Sequence, residues 1–179
     1  MNKKNLLISI ILIATIFILR LLPHPANLAP VAAVALVSGL YLSRGNYRIL
    51  IPLLGLFLSD IILGFYYLPV MIAVYSCFGI SYLIGEKIKR HKNIQNVLTG
   101  TLLSALIFFL ITNFAVWASG SWYPKTSEGL SLAYWLAIPF FKNTLIGDLF
   151  YVAVLSGVFE LVTSAATVKK KLAAMVNQH

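Results

Sequence analysis

Residues 94–118 read IQNVLTGTLLSALIFFLITNFAVWA, the longest apolar run in the chain and one that holds no acidic or basic side chain. A helix rises about 1.5 Å per residue, so this stretch spans the roughly 30 Å hydrocarbon core of a bilayer with residues to spare. Lys92 stands just before it, and Ser119-Gly120-Ser121-Trp122-Tyr123-Pro124 closes it with turn formers and interfacial aromatics.

Working outward, similar runs occupy about 6–22, 28–43, 49–66, 69–86 and 143–166. The whole chain has 179 residues, 60% of them hydrophobic and 11% charged, and a mean hydropathy of +0.89. A soluble domain of this size needs far more polar surface, so the solvent for most of the chain is expected to be lipid. The predicted fold is all-α: one polytopic domain over 1–179, a bundle of six transmembrane helices. Six spans and short loops use nearly all of this length, so no separate nucleotide-binding module is expected within it. Any energy input then comes from a partner or an ion gradient.

Two segments need separate treatment. The first run follows Lys3 and Lys4, as a secretory signal would, but Arg20 and Pro23-His24-Pro25 follow it and no small-x-small cleavage site does. An uncleaved first helix is expected. Leu130 to Ile138 is too short to span and is expected to lie along the outer interface, with Pro139 breaking it and Asn143 capping the sixth helix.

The net charge of +9 is a topology signal and implies no nucleic-acid partner. With the N-terminus inside, Lys3, Lys4, Arg44, Arg48, Lys87, Lys89, Arg90, Lys92 and Lys169 to Lys171 fall on the inner side, eleven of the 14 basic residues. Only Arg20, Lys125 and Lys142 fall outside. This bias predicts a multi-pass protein of the inner (plasma) membrane with both termini cytoplasmic. Tyr66, Tyr67, Trp117, Trp122 and Tyr123 then form an outer aromatic belt. Cys77 is the only cysteine and reads as packing.

Ionisable groups inside a membrane are costly, so each is a candidate site. Asp60 lies six residues before the outer end of its run, about 9 Å down, and Asp148 lies five residues past Asn143, about 8 Å down. Asn113 falls at a similar depth. Three polar groups on three helices thus share one level in the outer half, as an outward-opening pocket requires. Arg20, Asn27, Trp117, Trp122, Tyr123, Lys142 and Asn143 lie above it, and aromatic faces with a few polar groups suit a small, flat, polar ligand. The alternative is that these groups satisfy one another, Asp60 with Arg20 for example. Glu160 reads as a partner for Lys169 or a neighbouring loop.

Catalysis has little to rest on. Residues 145–148 read Leu-Ile-Gly-Asp, without the first glycine of the intramembrane aspartyl-protease pattern, and Gly79-Ile-Ser-Tyr-Leu83 misses the serine-hydrolase elbow. No pair of residues has zinc-ligand spacing and no Gly-rich phosphate loop occurs. The expectation is a non-enzyme with no catalytic residues, metal or cofactor. Ala29-x-x-x-Ala33, Ala35-x-x-x-Gly39 and Ala153-x-x-x-Gly157 instead suggest close helix packing or docking on a partner subunit.

Longer motifs add a resemblance. They are Arg20-Leu-Leu-Pro-His-Pro-Ala-Asn-Leu-Ala-Pro30, Leu58-Ser-Asp-Ile-Ile-Leu-Gly64, Ile111-Thr-Asn-Phe-Ala-Val-Trp117, Trp122-Tyr-Pro124, Ala137-Ile-Pro-Phe-Phe141 and Asn143-Thr-Leu-Ile-Gly-Asp-Leu149. Over about 15–160 the chain resembles a family of uncharacterised bacterial membrane proteins described as transport proteins. More loosely, the Arg-x-x-Pro turn after helix one, the Pro-rich approach to helix two and the late Ser-Asp of helix three resemble substrate-binding S components of energy-coupling-factor (ECF) transporters. The resemblance implies a six-helix protein that binds a vitamin-like metabolite in its outer half and works with a transmembrane coupling subunit and ATPases. It also implies Arg20, Asn27, Asp60, Asn113, Trp117, Trp122, Asn143 and Asp148 as the first candidate substrate contacts. One departure is that helix one reads Leu7-Ile-Ser-Ile-Ile-Leu-Ile-Ala-Thr15, without the Ala-x-x-x-Ala docking pattern of S components.

The expected function is therefore small-molecule uptake as a substrate-binding component. The alternatives are a structural scaffold similar to the rod-shape-determining membrane component, which needs no pocket, and a proton-coupled secondary carrier using Asp60 or Asp148.

Overall fold

The computed structural model describes the backbone of residues 3–42 and 46–176, and the side chains of 5–42 and 47–165. Lys3, Lys4, Arg44 and Lys169 to Lys171, on which much of the charge reading rests, have side chains outside the described residues. Among the described residues the chain is all helical. The helices are α1 (Lys3–Leu21), α2 (Val31–Tyr41), α3 (Leu50–Leu63), α4 (Leu68–Ile88), α5 (Ile94–Ser119) and α6 (Ser127–Val176). Short 3-10 turns at Asn46–Ile49 and Lys89–His91 precede α3 and follow α4.

Three stretches, Leu68–His91, Ile94–Ser119 and Ser127–Ala165, are long and apolar enough to cross a membrane, and Asn5–Leu21 and Val31–Tyr41 are shorter apolar helices. The outward faces carry Leu7, Ile11, Ile62, Leu102, Phe150 and Leu161, all well exposed. An exterior of such side chains suits lipid and would aggregate in water.

The bundle is built round α2. Every residue from Val31 to Leu40 is buried. On one side α1 packs against α3, on the other α4, α5 and α6 stand in a row, and α2 touches both groups, α4 most extensively. Lipid tails are as apolar as leucine, so α2 is held by close packing of small residues rather than by expulsion from water. At its crossing with α4, a methyl group added to Gly39 would collide with the Tyr82 carbonyl, and one added to Gly85 with the Leu36 carbonyl. The small residues of Ala35-x-x-x-Gly39 are thus spent inside the bundle, whereas Gly157 of the α6 pair meets nothing within 4 Å.

Two features differ from expectation. Pro139 does not break the chain into an interfacial helix at 130–138 and a span capped by Asn143; α6 runs unbroken for 50 residues with Pro139 inside it. The ring removes one hydrogen bond, to the Trp135 carbonyl, and the flanking turns hold the helix together. The start of α6 is set by Thr126, whose hydroxyl accepts from the Gly129 N–H at 3.2 Å. The first connection is also longer than the apolar run suggested. α2 starts at Val31 rather than 28, because Pro23, Pro25 and Pro30 deny helical hydrogen bonds over residues 22–30.

The end of the bundle holding Tyr41 and Glu160 gathers Arg48, Lys89 and Lys92. Arg48, 4% exposed, donates to Glu86 at 2.6 Å and to the Leu42 carbonyl, which also receives Lys89. Glu160 pairs with Lys92 of the α4–α5 connection and accepts from the Tyr41 hydroxyl at 3.0 Å. At the opposite end the Tyr67 hydroxyl donates to the Ser119 carbonyl at 3.0 Å, and Lys125 closes the carbonyl end of α5 through Trp117 and Gly120.

The packing at the α2–α4 crossing makes a direct prediction. Gly85→Ala is expected to destabilise the bundle by about 1–3 kcal/mol through overpacking. Gly157→Ala should stay within about 0.5 kcal/mol of the parent. Detergent unfolding titrations of the purified variants measure both.

Candidate functional site: a polar cavity under the first loop

The 22–30 connection roofs a cavity of about 290 Å³ at the end of the bundle away from Glu160. Its fold is set by three prolines and one asparagine. The Leu28 N–H closes a turn on the Pro25 carbonyl at 3.1 Å, and Asn27 within that turn has a φ of 63°, a left-handed conformation that asparagine tolerates. α6 holds the loop at two points one turn apart. The Asn143 amide donates to the Ala26 carbonyl at 3.1 Å, and Gly147 faces the Leu28 backbone so closely that a Cβ would lie 3.3 Å from the Leu28 Cα. Next to these anchors in sequence, Thr144 and Asp148 face the cavity.

The polar groups come from different elements. Arg20, in the last turn of α1, donates from Nη2 to Asp60 Oδ1 at 2.7 Å. The Tyr75 hydroxyl of α4 donates to Asp60 Oδ2 at 2.9 Å. Asp60, 1% exposed, therefore has both oxygens served, and the alternative of mutual satisfaction is the one realised for this pair. Asp60 lies in the last turn of α3, closer to its helix end than the apolar run implied, because α3 stops at Leu63.

Asp148 is different. It is 3% exposed, and its Oδ2 has no hydrogen-bond partner among the described residues. Thr144, one turn earlier on the same face, gives its hydroxyl hydrogen to the Phe140 carbonyl at 3.0 Å. Opposite lie Leu56 and Val74, with Phe78 and Phe108 stacked at 5.5 Å between ring centroids. His24 and Tyr66 line the cavity and are exposed. The His24 Nδ1 lies 2.6 Å from the Leu22 carbonyl, which can only accept, so that nitrogen carries the hydrogen. Burial, with a smaller contribution from the Asp60 charge, pushes the Tyr66 phenol up to about 12, so it stays a neutral donor at physiological pH.

Of the eight sequence-predicted contacts, Arg20, Asn27 and Asp148 line this cavity, and Asp60 stands behind Arg20. Asn113 lines a smaller adjoining cavity of about 200 Å³, which shares Asn27, Val74, Phe108 and Thr144 with the first. Its amide donates to the Phe109 carbonyl at 2.7 Å. The other three lie elsewhere. Trp117 ties the α5–α6 connection through Nε1 to the Pro124 carbonyl at 2.9 Å, Trp122 is 73% exposed, and Asn143 anchors the roof loop. Thr144, His24, Tyr66 and the Phe78–Phe108 pair are site residues that the sequence reading did not single out. Thr144 carried a usable signal, four residues before Asp148; the aromatic pair carried none.

Acceptors on α6, guanidinium donors from α1 and an apolar floor are the components of a recognition site for a small molecule. Among the described residues no group of three or more His, Cys, Asp or Glu is placed to hold a metal ion.

The model of DUF6580, a family of unknown function, matches residues 1–172. The chain belongs to this family. No curated protein and no solved structure matches it. In this DUF6580 chain the match covers every residue of the cavity and of its roof loop.

Breaking the buried pair by Arg20→Ala is expected to destabilise the protein by about 3–5 kcal/mol, since it strands the Asp60 charge. The double variant Arg20→Ala, Asp60→Ala should lose less than the sum of the singles. A double-mutant cycle in unfolding titrations tests the coupling.

Proposed function

We propose that this protein is a substrate-binding membrane component for uptake of a small polar metabolite, similar to the S components of ECF transporters. On this reading the chain crosses the membrane six times, with both termini in the cytoplasm, and the cavity opens to the outside. One observation carries the reading: a carboxyl oxygen of Asp148 sits buried in a cavity wall with no hydrogen-bond partner among the described residues. Buried polar groups left unmatched are expensive, and in a bundle that otherwise satisfies its acids they mark where a ligand completes the set.

The charge distribution supports the orientation, since Arg48, Lys89 and Lys92 cluster at the end away from the cavity. The pocket captures the metabolite from outside, and a coupling subunit with ATPases drives its release inward. The Ala35–Gly39 pair is consumed at the α2–α4 crossing, so a partner docks through another face.

A second reading, a structural scaffold, draws support from the closed set of Arg20, Asp60 and Tyr75, which needs no ligand. The two separate on one experiment. Native mass spectrometry of protein purified gently from its own host is expected to show a co-purified small molecule that Asp148→Ala depletes at least roughly tenfold, together with a coupling subunit. Empty protein carrying only a morphogenetic partner would sink the uptake reading.

A further inference from the structure

The cavity's polar groups can be sorted by what each still has to offer. Asp60 offers nothing, because Arg20 and Tyr75 occupy its two oxygens. Arg20 has given Nη2 to Asp60 and keeps further N–H donors in its fork. Thr144 has spent its hydroxyl hydrogen on Phe140, so it presents only lone pairs. Asp148 presents Oδ2, buried and without a partner among the described residues. With Asp148 ionised the α6 wall is acceptor-only, and Arg20 of α1 is donor-only.

The charges sort in the same way. Arg20 and Asp60 cancel as a 2.7 Å pair, which leaves Asp148 as the lining carboxyl without a basic partner among the described residues. An anionic ligand edge against this wall would set like charges together out of reach of water, whereas an N–H or N⁺–H edge supplies the missing bond. The stacked Phe78–Phe108 pair adds faces that favour a cation or a flat ring. A volume of about 290 Å³ is at the small end for ligand pockets and admits one substituted ring or a compact amine.

We propose that the cavity selects a small nitrogenous ligand, an amine or amino-substituted heteroaromatic ring, with its N–H edge on Asp148 and Thr144 and an acceptor edge on Arg20. The inference rests on the binding function proposed above and names the chemical class of its substrate.

The test uses the full chain in lipid nanodiscs, dialysed free of metabolites, and four probes of similar size: benzylamine, 2-aminopyrimidine, benzyl alcohol and benzoate. Both nitrogenous probes are expected to bind at least about tenfold more tightly than benzyl alcohol, with benzoate weakest. Asp148→Asn should lose roughly tenfold toward benzylamine while its weak affinity for benzyl alcohol stays level, a pattern that misfolding does not produce. Thr144→Val serves as a second variant, with a loss of several-fold toward the two nitrogenous probes alone. Benzoate binding as tightly as benzylamine, or unchanged benzylamine affinity in Asp148→Asn, would overturn the ligand class and leave small-molecule binding standing. Absence of binding by all four probes at millimolar concentration would overturn both.

Discussion

The burial of α2 on every side is the constraint on which the rest of this structure depends. A helix from Val31 to Tyr41 is about 16 Å long, half of what a bilayer core requires. It sits in the middle of the bundle because Gly39 and Gly85 let two backbones come into contact, an approach that no side chain would allow. The chain therefore reaches the start of α2 by a non-helical path over residues 22–30. Residues 22–27 of that path are exposed, while Leu28 to Pro30 turn in toward α2 and α6, and the cavity lies beneath them.

That geometry explains why the polar residues at the cavity end of the bundle divide into two kinds. Arg20, Asp60 and Tyr75 come from α1, α3 and α4 and close on one another, which fixes the α1–α3 pair against the row of longer helices. Asn143, Thr144, Gly147 and Asp148 lie within little more than one turn of α6 and serve the loop and the cavity alternately. Asn143 and Gly147 hold the roof, while Thr144 and Asp148 face inward. The same stretch therefore builds the site and fits it for a ligand, and a change at either anchor alters the shape of the space that Asp148 addresses.

The sequence disclosed the helical fold through runs of apolar residues whose composition suits lipid; it disclosed Arg20 and Asp148 because ionisable groups within such runs are rare, and Asn27 by its place between two runs beside them. It misplaced the start of the last helix, since a proline read locally as a breaker is one missing hydrogen bond in a helix braced on both sides. Depth counting put Asn113, Asp60 and Asp148 on one level, yet depth carries no information about azimuth. Asp60 turned to Arg20, and Asn113 turned to a neighbouring cavity. The interfacial tryptophans looked equally suited to a ligand, and Trp117 instead fastens a connection.

What the sequence determined by itself is the helical character, the apolar exterior and the small set of polar residues from which a site can be made; transfer energies act residue by residue and need no partner. What only the tertiary structure decided is which polar residues pair and which one is left over. Hydrogen bonds and ion pairs depend on the rotation and approach of whole helices, and these were set by two glycines on α2 and α4, far from the acids whose fates they separate.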